Sequence, residues 1–249
     1  MAQTILIAGA SSGLGKQLCE LYATEGCKVG AIGRREHLLE ELYSKYPDHI
    51  VPFTYDISRD DCIERINQFI EHLGGIDILI VTASIVRFNP DFLYELEKNI
   101  IDINIKGFTS VINAGYHYFL KKGKGQIAGV TSIAAARGNR TTPAYNATKA
   151  YQSSYLESIR LRLLEENKNI IVTELIPGYM ETEMARGDRL FWVANIKKSG
   201  LQAKKAIDHK KRRAYITRRW QVIFILYKLM PSFLYTRLIN SKIKLQKRH

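Results

Sequence analysis

The chain has 249 residues and a mass of 28.5 kDa; 46% of its residues are hydrophobic and 24% are charged. This composition excludes a disordered chain, a collagen-like repeat and a disulfide scaffold, and the length suffices for one large domain. The net charge of +13 is unevenly placed, because sixteen Lys or Arg and one acid, Asp208, lie between Lys197 and His249, whereas the preceding residues are close to neutral.

Short runs rich in Ile and Val alternate with longer segments of helical period along most of the chain. Runs without strict polar alternation are typical of strands buried on both faces of a parallel sheet. They lie at Thr4–Ala8, Lys28–Ile32, Ile50–Tyr55, Ile76–Thr82, Gln126–Thr131 and Ile170–Ile176. The helical patterns between them include Gly15–Glu25, Glu36–Tyr46, Ser58–Leu73 and Tyr145–Glu166. This alternation predicts one α/β domain with a doubly wound parallel sheet and helices on both faces.

A glycine-rich turn follows the first predicted strand and reads Gly9-Ala10-Ser11-Ser12-Gly13-Leu14-Gly15. Glycines at such a turn let the backbone approach a pyrophosphate closely, while the N–H groups of the following helix bind its negative charge. Glycines at strand ends also serve turns alone, and the spacing is not the common G-x-G-x-x-G. The place of the turn between the first strand and the first helix nevertheless predicts a dinucleotide site.

The second predicted strand ends in Ile32-Gly33-Arg34-Arg35. A site that prefers NAD usually has an acid near this strand end, where it binds the ribose 2′-OH. Arginine can instead bind a 2′-phosphate in a fork, so Arg34 and Arg35 favour NADP(H) over NAD(H). The alternative is that both arginines are only the solvated start of a helix, a position that slightly disfavours cations.

Tyr145 and Lys149 lie four residues apart at the start of a long predicted helix, and therefore on one face of it. A tyrosine has an unperturbed pKa of about 10, and a nearby ammonium together with a cationic nicotinamide would lower that pKa. Ser132 comes at the C-terminal end of the fifth predicted strand, where open α/β sheets bind their ligands. A Tyr four residues before a Lys is also common as a solvated pair. The prediction therefore rests on this pair in combination with Ser132.

Taken together, the chain resembles the short-chain dehydrogenase/reductase family over roughly residues 3–200. The resemblance rests on the order and spacing of Gly9-x-x-x-Gly13-x-Gly15, Asn104, Ser132, Tyr145-x-x-x-Lys149 and Pro177-Gly178. It implies a Rossmann-like sheet of about seven strands. It also implies an NAD(P)-dependent oxidoreductase that transfers hydride between the nicotinamide and a small-molecule ketone or secondary alcohol.

The resemblance assigns roles to individual residues. Tyr145 would protonate the carbonyl oxygen in reduction, Lys149 would bind the nicotinamide-ribose hydroxyls, and Ser132 would hydrogen-bond the substrate oxygen. Asn104 would support a water chain that resupplies protons. The residues expected to bind the cofactor are Gly9, Ser11, Ser12, Gly13, Leu14, Gly15, Arg34, Arg35, Asp56, Ile57, Ala83, Tyr145, Lys149, Pro177, Gly178 and Thr182.

One segment departs from the family pattern. Where the family usually carries Asn-Asn-Ala-Gly after the fourth strand, this chain reads Val81-Thr82-Ala83-Ser84. The departure removes no catalytic group, but it borders the cofactor. It therefore leaves open a second hypothesis, a non-catalytic NADP(H)-binding or regulatory protein on the same fold.

The C-terminal segment joins basic clusters to an apolar stretch. In Trp220–Met230 nine of eleven residues are apolar, which is too short for a helix to cross a bilayer of about 30 Å, and Pro231 follows. Basic residues beside Trp and Tyr predict a helix lying in the interface of an anionic membrane. The alternative is a core helix or an interface between copies of the chain, with solvated bases. We expect no nucleic-acid partner, since no known binding motif is present.

We expect residues 1–200 to form the dinucleotide-binding and catalytic core and residues 201–249 a basic, aromatic C-terminal extension of the same domain. The three cysteines and six histidines show no disulfide or metal-ligand spacing, so no metal site is expected. No run of 18 apolar residues and no leader pattern occurs, which predicts a cytoplasmic protein, with the inner face of a membrane as its docking place. The family resemblance implies a homodimer or homotetramer. The substrate loop around Glu183–Gly200 carries no specificity motif.

Overall fold

Residues 3–182 and 192–246 are described by the computed structural model, residues 240–246 by their backbone alone. Its strands are β1 (Thr4–Ala8), β2 (Lys28–Gly33), β3 (Ile50–Thr54), β4 (Ile78–Val81), β5 (Lys124–Val130), β6 (Asn169–Pro177) and β7 (Arg213–Ile216). They form one parallel sheet of seven strands in the order β3-β2-β1-β4-β5-β6-β7. The expected fold class and strand number are therefore confirmed.

Helices cover both faces of the sheet. They are α1 (Gly13–Thr24), α2 (Glu36–Lys45), α3 (Cys62–His72), α4 (Tyr94–Ile101), α5 (Phe108–Lys122), α6 (Pro143–Glu165), α7 (Ile196–Asp208), α8 (Arg219–Leu229) and α9 (Ser232–Gln246). A π-helical turn, Asp102–Gly107, joins α4 to α5, and a 3₁₀ turn, Ile133–Ala136, follows β5. Helices α1, α2 and α7 pack on one face, and α3, α5 and α6 on the other.

Strand β1 shows why the sequence runs are apolar without alternation. Ile5 and Ile7 pack into the cluster under α1, whereas Leu6 and Ala8 pack into the cluster under α5. All four side chains are fully buried, because successive residues of a strand point to opposite faces and both faces are covered. The strand order reverses between β1 and β4, which places a crevice at their C-terminal ends.

Two elements differ from the sequence prediction. The third helix begins at Cys62 and not at Ser58, because the Asp56 carboxylate accepts hydrogen bonds from the N–H (3.0 Å) and hydroxyl (2.7 Å) of Ser58 and forms a turn there. Strand β7 lies inside the basic segment. Its Arg213 forms a 2.7 Å ion pair with the buried Glu174 of β6, so a base of the C-terminal excess neutralises a carboxylate inside the sheet.

Helices α8 and α9 form what we call the C-terminal helix pair. The first part of α9, Ser232–Ile239, is bent by 115° from α8, with Pro231 at the break. No single helix among the described residues is long and apolar enough to cross a membrane, although these two segments meet that length and composition together.

Candidate active site

The glycine-rich turn connects the end of β1 to the start of α1. Gly9 has a φ of +99°, and a Cβ at this position would lie 2.4 Å from the backbone nitrogen of Ala83, so no other residue fits. The Thr82 hydroxyl lies 3.1 Å from the carbonyl oxygens of both Ala8 and Gly9 and ties the turn to the end of β4. The departing segment therefore still supports the turn, through Thr82.

The first turn of α1 contains no acidic residue, so the positive end of its dipole has no internal counter-charge. The Arg35 guanidinium adds positive charge at the same place, because it donates hydrogen bonds to the hydroxyls of Ser11 and Ser12. Gly33 leaves room for this contact, since a Cβ there would lie 3.1 Å from that of Ser11. These residues together form a cradle for a phosphate.

Arg34 has a different partner from Arg35. Its guanidinium lies 3.6 Å from the carboxylate of Asp56, which follows β3. Partial burial raises the pKa of Asp56, but the hydrogen bonds from Ser58 and the charge of Arg34 outweigh this effect and hold that pKa below its ordinary value. Asp56 is therefore an anion at neutral pH, placed beside the predicted adenosine end of the site.

The remaining predicted cofactor residues fall into two groups. Thr182 lies against the glycine-rich turn, with its methyl group 3.3 Å from the position of a Cβ on Gly13, and Pro177 ends β6. The side chains of Leu14 and Ile57 are buried in the two core clusters. Residues 183–191 of the predicted substrate loop lie outside the described residues.

Gly178 contacts a residue that the sequence did not connect with the site. A Cβ on Gly178 would lie 2.1 Å from the indole of Trp220, which is fully buried at the start of α8. Tyr179 packs edge-on against the same indole, with ring centroids 5.5 Å apart. The loop after β6 thus rests on the C-terminal helix pair.

Ser132, Tyr145 and Lys149 converge between the end of β5 and the first turns of α6. The Ser132 hydroxyl caps the 3₁₀ turn by accepting from the N–H of Ala134 (3.1 Å), and it hydrogen-bonds Tyr145. The Lys149 ammonium lies 5.7 Å from the centroid of the Tyr145 ring. This arrangement sets a hydroxyl, a phenol and an ammonium around one point at the C-terminal edge of the sheet.

Burial acts on the two titratable groups in opposite senses. It raises the pKa of Tyr145, and the hydrogen bond to Ser132 only partly offsets this, so the pKa remains above its ordinary value. Burial lowers the pKa of Lys149 to about 7. The expected lowering of the Tyr145 pKa does not occur in the chain alone, because desolvation outweighs the hydrogen bond with Ser132. The phenol is protonated at neutral pH, as a general acid must be.

Asn104 lies in the π-helical turn and fixes the segment after β4. Its side-chain amide accepts from the N–H of Ile85 (2.8 Å) and donates to the Ile85 carbonyl (2.9 Å) and to Thr148 (3.1 Å). The backbone carbonyl oxygen of Asn104 accepts a hydrogen bond from the side-chain nitrogen of Gln152 (2.7 Å). The side-chain oxygen of Gln152 in turn accepts a hydrogen bond from Lys149 (2.9 Å). The sequence reasoning missed Gln152, although its place three residues after Lys149 on one helix face was a usable signal.

The residues at this edge of the sheet fit a dinucleotide. Arg35, the two serines and the start of α1 supply donors for phosphate, and Lys149 supplies a donor for ribose hydroxyls. The buried hydroxyl of Ser84 has no hydrogen-bond partner among the described residues, which leaves a polar group for a ligand at the same edge. No group of three or more His, Cys, Asp or Glu within these residues could hold a metal ion.

Comparison with known proteins assigns the family. The sequence pattern described as "short chain dehydrogenase" matches residues 3–190. An uncharacterized oxidoreductase of Myxococcus xanthus is 32% identical over 188 residues, covering 73% of this chain and 74% of the relative. The 11-beta-hydroxysteroid dehydrogenase 1A of Arabidopsis thaliana is 31% identical over 193 residues, covering 74% of this chain but only 54% of that protein.

Solved structures agree in fold. A short chain dehydrogenase from Burkholderia cenocepacia in complex with NADP superposes with a TM-score of 0.81 at 23% identity, over 95% of this chain and 97% of that one. A short-chain dehydrogenase from Sphingobium yanoikuyae in complex with NADPH gives a TM-score of 0.76 at 20% identity, over 98% and 95%. With the family pattern over three quarters of its length, the chain belongs to the short chain dehydrogenase family of oxidoreductases, which act on CH–OH and C=O groups.

Proposed function

We propose that the chain is an NADPH-dependent reductase, or the reverse dehydrogenase, for a ketone and its secondary alcohol. The observation that carries this proposal is the convergence of Ser132, Tyr145 and Lys149 at the same edge of the sheet as the glycine-rich turn. When bound, the nicotinamide supplies or takes the hydride, and the protein supplies position and electrostatics.

Each side chain has a task that follows from its surroundings. The Tyr145 phenol is protonated and donates its proton to the carbonyl oxygen of the substrate. The Ser132 hydroxyl donates a hydrogen bond to the same oxygen and stabilises its developing negative charge. Lys149 donates to the ribose hydroxyls of the cofactor, and its charge favours the phenolate that Tyr145 becomes after proton transfer.

The test is NADPH oxidation over a panel of ketones by the wild type and by Tyr145→Phe. We expect turnover of at least one ketone by the wild type and a loss of about 10²- to 10⁴-fold in kcat for the variant. NADPH fluorescence should show equal binding by both. Tight NADPH binding by the wild type without turnover of any ketone would support the second hypothesis, a non-catalytic NADP(H)-binding protein.

We propose that the site prefers NADP(H) over NAD(H). The support is the Arg35 guanidinium on Ser11 and Ser12, with Gly33 where an NAD site usually has an acid. Replacing Arg34 and Arg35 with Ala should weaken NADPH binding at least tenfold more than NADH binding. Arg59→Ala is the control, because it removes an exposed arginine that lies outside the glycine-rich turn and outside the end of β2. An equal effect on both cofactors contradicts the preference.

We further propose that the C-terminal helix pair docks on an anionic membrane surface, which suits a lipophilic substrate. One face of α8 is buried through Trp220 and Phe224, and the opposite face exposes apolar side chains, with Leu226 59% and Leu229 76% exposed. On α9 the side chain of Phe233 is likewise exposed. An apolar helix with no protein over one face is typical of an interfacial helix.

Charge complementarity supports an anionic surface as the partner of the helix pair. No acidic residue follows Asp208 in the sequence, and Arg218, Lys228 and Arg237, which lie in or next to the helix pair, are exposed. Each basic residue near an anionic surface contributes about 1 kcal/mol of attraction. Burial of the apolar side chains and attraction of the basic residues would therefore both favour binding of the helix pair to an anionic membrane.

Flotation with vesicles of phosphatidylglycerol and of phosphatidylcholine tests the docking. We expect the wild type to float with the anionic vesicles, and Leu226→Gln with Leu229→Gln to remain at the bottom. The matched control is Leu161→Gln with Leu164→Gln, since these leucines of α6 are also exposed. Failure of the wild type to float, or equal flotation of all three proteins, contradicts docking. A change in oligomeric mass of the first variant alone would instead indicate a second copy of the chain on this face.

A cytoplasmic location, at the inner face of a membrane, and a homodimeric or homotetrameric state complete the proposal. Both rest on sequence patterns and on the family resemblance. Cell fractionation and sedimentation equilibrium of the purified full chain test them, and a monomer at micromolar concentration contradicts the second.

A further inference from the structure

Lys149 is a buried cation without a carboxylate partner among the described residues. Its ammonium donates to two neutral oxygens, the carbonyl of Val130 on β5 (3.0 Å) and the side-chain oxygen of Gln152 on α6 (2.9 Å). The titratable side chain that faces it is Tyr145, and neither β5 nor the π-helical turn presents a charged group to it. Its charged state therefore depends on these two acceptors.

Gln152 is fully buried and uses both ends of its amide. The oxygen accepts from Lys149, and the nitrogen donates to the backbone carbonyl of Asn104 (2.7 Å). These partners also fix the orientation of the amide, because an ammonium can only donate and a carbonyl can only accept. The acceptor lies in the π-helical turn, where the register of backbone hydrogen bonds changes.

We propose that Gln152 is a positioning residue that anchors the Lys149 ammonium to the π-helical turn and keeps it charged. The Val130 carbonyl holds the ammonium from the sheet side, and Gln152 holds it from the helix side. With two of its N–H groups donated to these two acceptors, the third N–H of the ammonium remains for a ligand. The effect on catalysis rests on the proposed reductase function, whereas the effect on Lys149 itself does not.

The Gln152 amide connects Lys149 to the backbone carbonyl of Asn104, and it behaves differently from a water molecule that would connect the same two groups. A carboxamide has no proton to release and no basic site near neutral pH, so Gln152 holds the lysine without relaying protons through it. A hydrogen bond to the charged form of a group favours that form. The amide oxygen thus opposes the desolvation that lowers the pKa of Lys149.

The first test measures Lys149 directly, without substrate. Lysines labelled with ¹³C at Cε are titrated by NMR, and the Lys149 signal is assigned by its loss in Lys149→Met. Gln152→Met, nearly isosteric, should shift the midpoint down by about one pH unit, because an acceptor for a charged donor is lost. Gln152→Glu should shift it up, because a carboxylate favours the ammonium.

Gln126→Met is the matched control. Gln126 is also buried, and its amide donates to Thr173 (3.0 Å) and to the Ile207 carbonyl (2.9 Å), but it lies four residues before Val130 on β5. Loss of this amide should leave the Lys149 midpoint unchanged. Shifts of the same sign in Gln152→Met and Gln152→Glu, or shifts no larger than that of Gln126→Met, overturn the proposal. If Gln152→Met does not fold, an unchanged or lower midpoint in Gln152→Glu overturns it.

The second test follows the alkaline limb of the pH profile of kcat/KM for ketone reduction. This limb should move down in Gln152→Met and up in Gln152→Glu, whereas a purely structural defect would lower the rate at every pH. If the wild type turns over no ketone, the reductase function fails, and the NMR titration still decides the role of Gln152.

Discussion

Helices α1 and α8 both pack on this molecule through aromatic and aliphatic side chains, but they present opposite surfaces to solvent. In α1 the residues Leu14, Leu18 and Tyr22 are buried, and the outward positions are polar. In α8 only Trp220 and Phe224 are buried, while Leu226 and Leu229 are exposed. Packing within the chain therefore accounts for the sequence of α1 and for only half of that of α8.

The basic residues of the core and of the C-terminal helix pair also differ, in whether they form ion pairs within the chain. In the core they have partners: Arg213 pairs with Glu174 (2.7 Å), and Lys204 pairs with Glu25 (2.6 Å) and Asp208 (2.8 Å). Lys228 and Arg237 of the C-terminal helix pair form no ion pair among the described residues. Charge contributes to folding in the core, whereas in the helix pair Lys228 and Arg237 are available for the external contact proposed above.

The helix pair is nevertheless attached to the site at two places. Trp220 carries the loop at Gly178, and the Arg137 guanidinium donates to the carbonyl of Tyr227 (2.7 Å) and to that of Met230 at the end of α8. Arg137 directly follows the 3₁₀ turn that begins after Ser132. Both loops that flank the proposed catalytic residues thus contact the same helix.

The largest expected effect is a difference in the free energy of unfolding between variants on the buried face and on the exposed face of α8. Trp220→Ala should lower the free energy of unfolding by about 3 to 5 kcal/mol, because it empties a fully buried site. Leu229→Ala, which changes an exposed side chain of the same helix, should change it by less than about 0.5 kcal/mol. Chemical denaturation measures both, and equal losses would show that the exposed face is packed.

The next effect concerns the catalytic edge of the sheet alone. Ser132→Ala should lower kcat by about 10²- to 10³-fold, since one donor to the developing oxyanion is lost, with NADPH affinity unchanged. Ser154→Ala, at an exposed position of α6, is the control. A matching loss in both variants would remove Ser132 from the proposed chemistry.

A smaller effect is expected at the attachment of the helix pair. Arg137→Leu leaves two carbonyls at the end of α8 without their donor, a cost of about 1 to 3 kcal/mol. Hydrogen exchange should therefore speed up in α8 and α9, while α1 keeps its protection. Uniform loss of protection in all three helices would mean that the pair is part of the core's cooperative unit.

The smallest effect is a pH dependence of cofactor binding. Burial lowers the pKa of Lys149 to about 7, so the ammonium is present below that pH and is lost as the pH rises through it. NADPH affinity should accordingly fall above pH 7, by at most about tenfold per pH unit. Lys149→Met should bind more weakly and lose this dependence, and an unchanged pH profile in that variant would exclude Lys149 as its origin.

The sequence predicts those parts of the fold whose pattern has one physical cause. Strand β1 was predictable because both of its faces are buried, and Tyr145 with Lys149 because their helical spacing matches a known family motif. Strand β7 was not, because Arg213 gives it the composition of a solvated basic segment while it pairs with a carboxylate distant in sequence. The contacts of Gln152 with the Asn104 carbonyl and of Trp220 with Gly178 were missed for the same reason, since these two partners are set by tertiary packing.

The support that α8 gives to both flanking loops has a thermodynamic consequence. A partner that bound the helix pair and moved it would displace the Gly178 loop and the Arg137 loop together, because both contact α8, and would thereby change the affinity of the cleft for its substrate. Linkage is reciprocal, so an occupied cleft must alter the affinity for that partner by the same factor. Under the proposed docking, binding of the helix pair to a membrane and binding of substrate in the cleft would therefore be thermodynamically coupled through α8.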